Sequence, residues 1–220
     1  MEKINWNKTQ IWQGCMLSSI AHAISVAQYP EFANEHSWDG DNYSMQDSQG
    51  GRGTITFNKD YCVAALRDDN SDRIGEHKDA LDYLKEAPQE VQQLAESEAL
   101  QYLLDEIDGN TVPVITTAFW CIQEEVYSQD PFHAMIEHGG FLLNKETMEI
   151  ESAIDELQEY HDLSEKQVYL LESLFKRKIS KPSETIVLTE EEVLMIEAED
   201  EEALSKSRIS FEEIGIKLSE

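Results

Sequence analysis

The sequence predicts an α+β fold: a small antiparallel sheet with a hairpin near residues 43–69, packed by helices and followed by a helical C-terminal region. Three observations lead there. Apolar residues recur at helical spacing near the N-terminus and again in the middle of the chain. A glycine-rich stretch, Ser48-Gln49-Gly50-Gly51-Arg52-Gly53, separates two short β-prone segments. In the last third, Ser or Thr is repeatedly followed three positions later by Glu or Gln, the capping-box pattern of helix starts.

Taken in order, Leu17, Ile20, Ala21, Ile24 and Ala27 predict a helix over 17–29 with one face in the core, ended by Pro30. Clustered Gly, Asp, Asn and Ser over 34–57 imply turns, and the glycines supply the positive φ that a hairpin loop needs. Residues 61–69 are apolar enough for a central strand, which completes a three-stranded antiparallel unit. Residues 76–107 read as helical, broken at Pro88. Val91, Leu94, Ala95, Leu100, Leu103, Leu104 and Ile107 fall on one stripe, and Asp108-Gly109-Asn110 closes the run. A strand is expected over 111–120, with Pro113 pointing to an edge, and another over 184–188. Capping boxes are read at Ser164/Gln167, Thr189/Glu192 and Ser210/Glu213, and the acidic run 189–203 as a solvated helix.

At 220 residues, 40% of them hydrophobic, the chain can build a sizeable core. We expect an α+β domain over 1–150 and a mainly helical region over 151–220 packed on it; no Pro/Gly/Ser-rich linker separates them. No stretch nears 18 continuous apolar residues, and the N-terminus has no apolar core of a signal peptide, so a membrane span and a secretory leader are not expected. The three cysteines, at 15, 62 and 121, are odd in number and form no CxxC. That argues against a disulfide framework or a zinc site and for a reducing cytoplasm.

Charge is the outstanding property: 17 basic residues against 45 acidic, a net charge of −28. A field of that sign repels nucleic acid and anionic membranes, and attracts basic proteins while speeding their encounter. The acidic stretches 39–47 and 68–72 lack the glycine and glutamate of a calcium loop, and the glycine stretch lacks the Lys-Ser/Thr of a phosphate loop, so no metal or cofactor is expected. The one basic run, 176–181, reads as compensation for helix carboxylates.

Cys15 follows Gly14 at the predicted start of a helix, where exposed N–H groups would lower a thiol pKa. The order Gln10, Cys15, His133, Asn144 resembles that of papain-like peptidases, which implies an oxyanion donor, a nucleophile, a base and an orienting amide. The Cys-Gly-Ser-Cys-Trp run of that family is absent, since Met16 and Leu17 follow Cys15, and a small buried residue is the expected role. The leading expectation is a non-enzymatic acidic interaction protein that inhibits a basic protein partner. In size and charge it is similar to toxin-immunity proteins and DNA-mimicking inhibitors. Trp38, Asp39, Asp41, Tyr43, Asp47 and Arg52 would form its binding face, acid around an aromatic centre. A cysteine hydrolase and a regulatory or scaffold module are the alternatives.

Overall fold

A computed structural model describes residues 1–76 and 78–219 of the chain. Along the sequence the elements are β1 (Glu2–Asn7), α1 (Lys8–Ser25), β2 (His36–Asp39), β3 (Asn42–Gln46), β4 (Gly51–Phe57), β5 (Tyr61–Asp68), α2 (Gln89–Ser97), β6 (Leu104–Ile107), β7 (Asn110–Pro113), β8 (Thr117–Ile122) and β9 (Glu125–Ser128). They continue with α3 (Phe132–Glu137), α4 (Ile150–His161), α5 (Glu165–Ser180), β10 (Ile186–Leu188), α6 (Glu190–Met195), α7 (Glu201–Glu213) and β11 (Ile216–Leu218). The class is α+β, with a helical C-terminal region. The sheet is larger than the sequence indicated: seven strands in the order β1-β9-β8-β5-β4-β3-β2. The chain divides into two units, Met1–Ile11 with Asp39–Asn144 and Trp12–Trp38 with Lys145–Glu220.

In the first unit the expected three-stranded core of the sheet forms, β3, β4 and β5 pairing antiparallel. Its glycine loop is closed by Asp47, whose carboxylate accepts from the backbone N–H groups of Gln49 and Gly51, both at 2.8 Å. Ser48 and Gly50 take the positive φ of the turn, 57° and 106°. On the other side β5 pairs with β8, and both strands are buried almost throughout. Cross-strand alternation sends Val63, Ala65, Ala118 and Trp120 to one face, where they pack with Tyr83, Leu84, Val91, Ala95 and Leu100. Tyr43, Ile55, Ala64 and Phe119 take the other face.

The middle of the chain departs from the predicted helix. Helix α2 ends at Ser97; Ala99–Tyr102 forms a 3-10 turn, and β6 and β7 form a two-stranded ribbon. Asp108 and Gly109 both have positive φ, 51° and 78°, the geometry of a two-residue hairpin turn. Asp-Gly was thus a hairpin signal and not a helix stop. Leu104, predicted on the buried stripe, is 43% exposed on the ribbon.

Helix α1 runs from the first unit into the second and starts earlier than predicted, because the Asn7 side chain accepts from the Gln10 backbone N–H at 2.7 Å and so caps the helix. It also ends earlier, at Ser25, and Pro30 begins a separate 3-10 turn. Residues 14–27 are all buried, so the helix is surrounded and not merely amphipathic. Ile20, Ile24, Leu157, Leu171, Leu174 and Phe211 lie in its core. Capping boxes form at Ser164/Gln167 and Thr189/Glu192. The third does not: Ser210 lies inside α7, whose cap is Asp200, accepting from the Ala203 N–H at 2.8 Å. The predicted strand at 184–188 forms as β10, paired parallel to β11.

One expectation about cysteine is overturned. Cys62 and Cys121 stand directly opposite each other on β5 and β8, Cα atoms 4.8 Å apart, and are joined by a disulfide. Spacing along the chain carried no sign of this, because register across the sheet creates the pair. The expectation of a reducing cytoplasm loses the ground it stood on. Among the described residues no helix is long and apolar enough to cross a membrane.

Two outcomes follow from the packing. A Cβ on Gly14 would collide with the backbone of Glu146, so Gly14→Ala should destabilise the second unit by about 1–3 kcal/mol. Gly75→Ala, with no atom within 4 Å of its added methyl, should be close to neutral. Denaturant midpoints of the two variants make the comparison. For the cysteines, iodoacetamide followed by mass spectrometry should label no thiol in the native protein, Cys15 alone in urea without reductant, and all three cysteines after reduction.

Candidate functional site

The catalytic alternative is weakened from the thiol outward. Cys15 is fully buried and lies two turns inside α1, not at its start, so no helix end acts on it. Burial, and then the Glu146 carboxylate, push its thiol well above the usual range, the reverse of what a nucleophilic thiolate needs. His133 is exposed on α3 and Asn144 is exposed just after a 3-10 turn. These two and Gln10 belong to the first unit, and Cys15 to the second.

A Ser-His-Asp grouping that the sequence did not reveal occurs at Ser71, His138 and Asp72. Ser71 Oγ lies 2.8 Å from His138 Nδ1, and Asp72 Oδ1 lies 3.7 Å from the same nitrogen. A relay needs acid and nucleophile on opposite ring nitrogens, so this is no triad. Ser71 Oγ also accepts from the Arg73 backbone N–H at 3.2 Å, which makes it part of a local turn.

The six residues predicted to meet a partner separate. Tyr43 is fully buried, on the sheet face opposite Asn42, and is corrected from surface to core. Trp38 is half-buried in the second unit, its indole N–H donated to Ser19 Oγ at 2.8 Å. Asp47 closes the glycine loop, and Arg52 reaches Asp69 at 3.5 Å. Asp39 and Asp41 remain exposed.

Around Asp39 the structure assembles a patch. The Tyr102 hydroxyl donates to Asp39 Oδ2 at 2.7 Å and accepts from Asn42 Nδ2 at 3.2 Å. Asn42 Nδ2 also donates to Glu98 Oε2 at 3.0 Å, and Asn42 Oδ1 accepts from Thr56 Oγ1. Asn42 and Thr56 occupy the same row of the sheet as Val63 and Trp120, where the apolar face gives way to polar residues. Tyr102 is 40% exposed, and its hydrogen bond to Asp39 raises its pKa. An acid-flanked aromatic centre therefore exists, but its ring is Tyr102, which comes from the turn after α2. The reading of the run from Pro88 to Ile107 as one helix hid it; the Asp-Gly hairpin signal was the clue that the helix must end first.

Negative charge is shared evenly: eight basic and 22 acidic residues in the first unit, nine and 23 in the second, so −14 in each. Among the described residues eight lysine and arginine side chains stand in ion pairs within their own unit, from Lys3 with Glu125 to Lys181 with Glu184. Lys78 and Lys145 sit over the rings of Tyr83 and Tyr160. Eight of the 17 lysines and arginines are thus paired with carboxylates, and the unpaired carboxylates dominate the outer field.

In the second unit three histidines converge from three elements. The ring of His22 is 5.0 Å from that of His36 and 6.5 Å from that of His161. His22 Nε2 donates to the Phe32 carbonyl at 2.9 Å, while the buried Nε2 of His161 has no hydrogen-bond partner. Among the described residues no three His, Cys, Asp or Glu side chains are arranged to hold a metal ion. Burial holds all three imidazoles below their ordinary pKa, His161 down to about 3, and Lys145 adds to this at His36 and His161.

Comparison with protein-family models, curated proteins and solved structures finds no match to this chain.

The histidines set a pH dependence. Their folded pKa values lie below 6.5, so below that pH the unfolded chain binds more protons than the folded one. Their contribution to stability is intact above about pH 6.5 and is lost as pH falls from there, at up to about 1.4 kcal/mol per pH unit for each histidine. Thermal midpoints measured between pH 7.5 and 5.5 should fall more steeply in the natural protein than in His161→Leu; equal slopes would contradict the assignment.

Proposed function

We propose that this chain binds a basic protein, and inhibits it by covering its cationic surface, using the face formed by Asp39, Asp41, Glu98 and Tyr102. The observation that carries the reading is the joint occurrence of a −28 charge, evenly divided between the units, with eight of the 17 lysines and arginines already paired to carboxylates inside them. Such a surface accelerates the approach of a basic partner but does not choose among basic partners. Choice falls to the patch. Tyr102 offers a half-exposed ring whose hydroxyl is fixed at both ends, so little rotamer freedom is lost on contact. Tyrosine is enriched at binding hot spots, and its face suits an arginine guanidinium from the partner. Asp39 and Glu98 then lie where they can accept that cation's hydrogen bonds.

The test is affinity capture by the tagged chain at low salt, where the screening length is long, followed by a salt gradient. The expected result is one basic protein in near-equal amount, released by salt. It should be lost with Asp39→Lys/Asp41→Lys or with Tyr102→Ala. It should be retained by Glu190→Lys/Glu191→Lys, which changes the net charge equally at exposed positions of the second unit. Equal loss in both charge variants would reduce the patch to part of a uniform field, and capture of nothing would refute the reading.

A further inference from the structure

The first unit holds a cavity of about 290 Å³ between the connection 72–83 and the β6–β7 ribbon. Its floor and walls are mostly apolar, including Ile74, Ile107, Val112 and Ile115. Two cations, Arg73 and Lys78, line it in a chain otherwise dominated by carboxylates. Both lean on the buried ring of Tyr83: Lys78 Nζ is 3.6 Å from its centroid and Arg73 Cζ 5.8 Å.

The two cations are not in the same state. Arg73 makes a two-point ion pair with Asp130, at 2.6 and 3.2 Å, and donates to the Thr116 carbonyl at 2.9 Å. Asp130 in turn accepts from Thr117 Oγ1 at 2.7 Å. That network is closed. Lys78 has the π face of Tyr83 and no carboxylate within ion-pair distance among the described residues. A π face satisfies an ammonium group only on one side and leaves its remaining N–H donors available.

We propose that this cavity binds a small organic monocarboxylate with an apolar body, its carboxylate on Lys78 and its body against the ribbon. Charge sets the choice of a single negative group. Asp79 lines the cavity and Asp130 stands behind Arg73, so a doubly charged phosphate would meet two carboxylates at close range. Volume sets the size: the cavity lies at the small end of ligand sites, which span roughly 300–1,000 Å³, and holds a molecule of about ten non-hydrogen atoms. The site is separate from the patch at Asp39 and does not depend on the reading given to that patch.

Calorimetric titration of the full chain with benzoate and with hexanoate, each against its neutral amide, tests the assignment. The acids should bind saturably with a Kd on the order of 1 mM or tighter, and the amides at least about tenfold more weakly. Lys78→Met should abolish the difference between acid and amide, and Lys78→Arg should keep it. Val112→Trp, at a half-buried ribbon position, should fill the space and remove binding of both. Thermal midpoints of the variants report that each is folded. The proposal is overturned if neither acid saturates below about 20 mM, if acid and amide bind alike, or if the preference survives Lys78→Met in a folded protein.

Discussion

The antiparallel pairing of β5 with β8 is the constraint on which the first unit is built. Both strands are buried over nearly their whole length, so every backbone N–H and C=O in them must find its partner in the sheet. Their register then fixes the rest. Setting Val63 opposite Trp120 commits Thr56 and Asn42 to the same row, and Asn42 is what holds Tyr102 and Glu98 in place. A slip of one residue would turn Trp120 to the other face and dismantle the patch together with the core.

Legibility in the sequence followed from how local the determining interaction was. The hairpin across Gly50 and the capping boxes at Ser164 and Thr189 depend on residues within a few positions of each other, and they were readable. The third box failed because a Ser-x-x-Glu inside an already nucleated helix gains nothing by restarting it, with Asp200 the better cap. The stripe through 91–107 was misread because its spacing is compatible with a helix that turns, pauses and becomes a ribbon, a route that buries Val91, Ala95, Leu100 and Leu103 and leaves Leu104 exposed. Of the candidate site, the exposed acids Asp39 and Asp41 were legible and their aromatic companion was not. Tyr102 joins Asp39 only by tertiary folding, across 63 positions of sequence.

Two kinds of ionisable group share the molecule in different ways. Most carboxylates stay outside, where solvation keeps them charged and their mutual repulsion is screened by salt, while Glu35, Asp68 and Glu146 are buried. The three histidines of the second unit lie among buried groups with Lys145 close by, and neutrality is the condition of their being there.

The Cys62–Cys121 link joins positions 59 apart, so α2, the turn bearing Tyr102 and the β6–β7 ribbon all lie on one covalent ring. In the chain-entropy account a ring of that size disfavours the unfolded ensemble by about 4 kcal/mol. It also alters what cutting the chain means. A protease that severs the exposed hairpin tip at Asp108-Gly109 would open the ring without dividing the molecule, leaving one particle of unchanged mass, plus a water, until a reductant separates its halves.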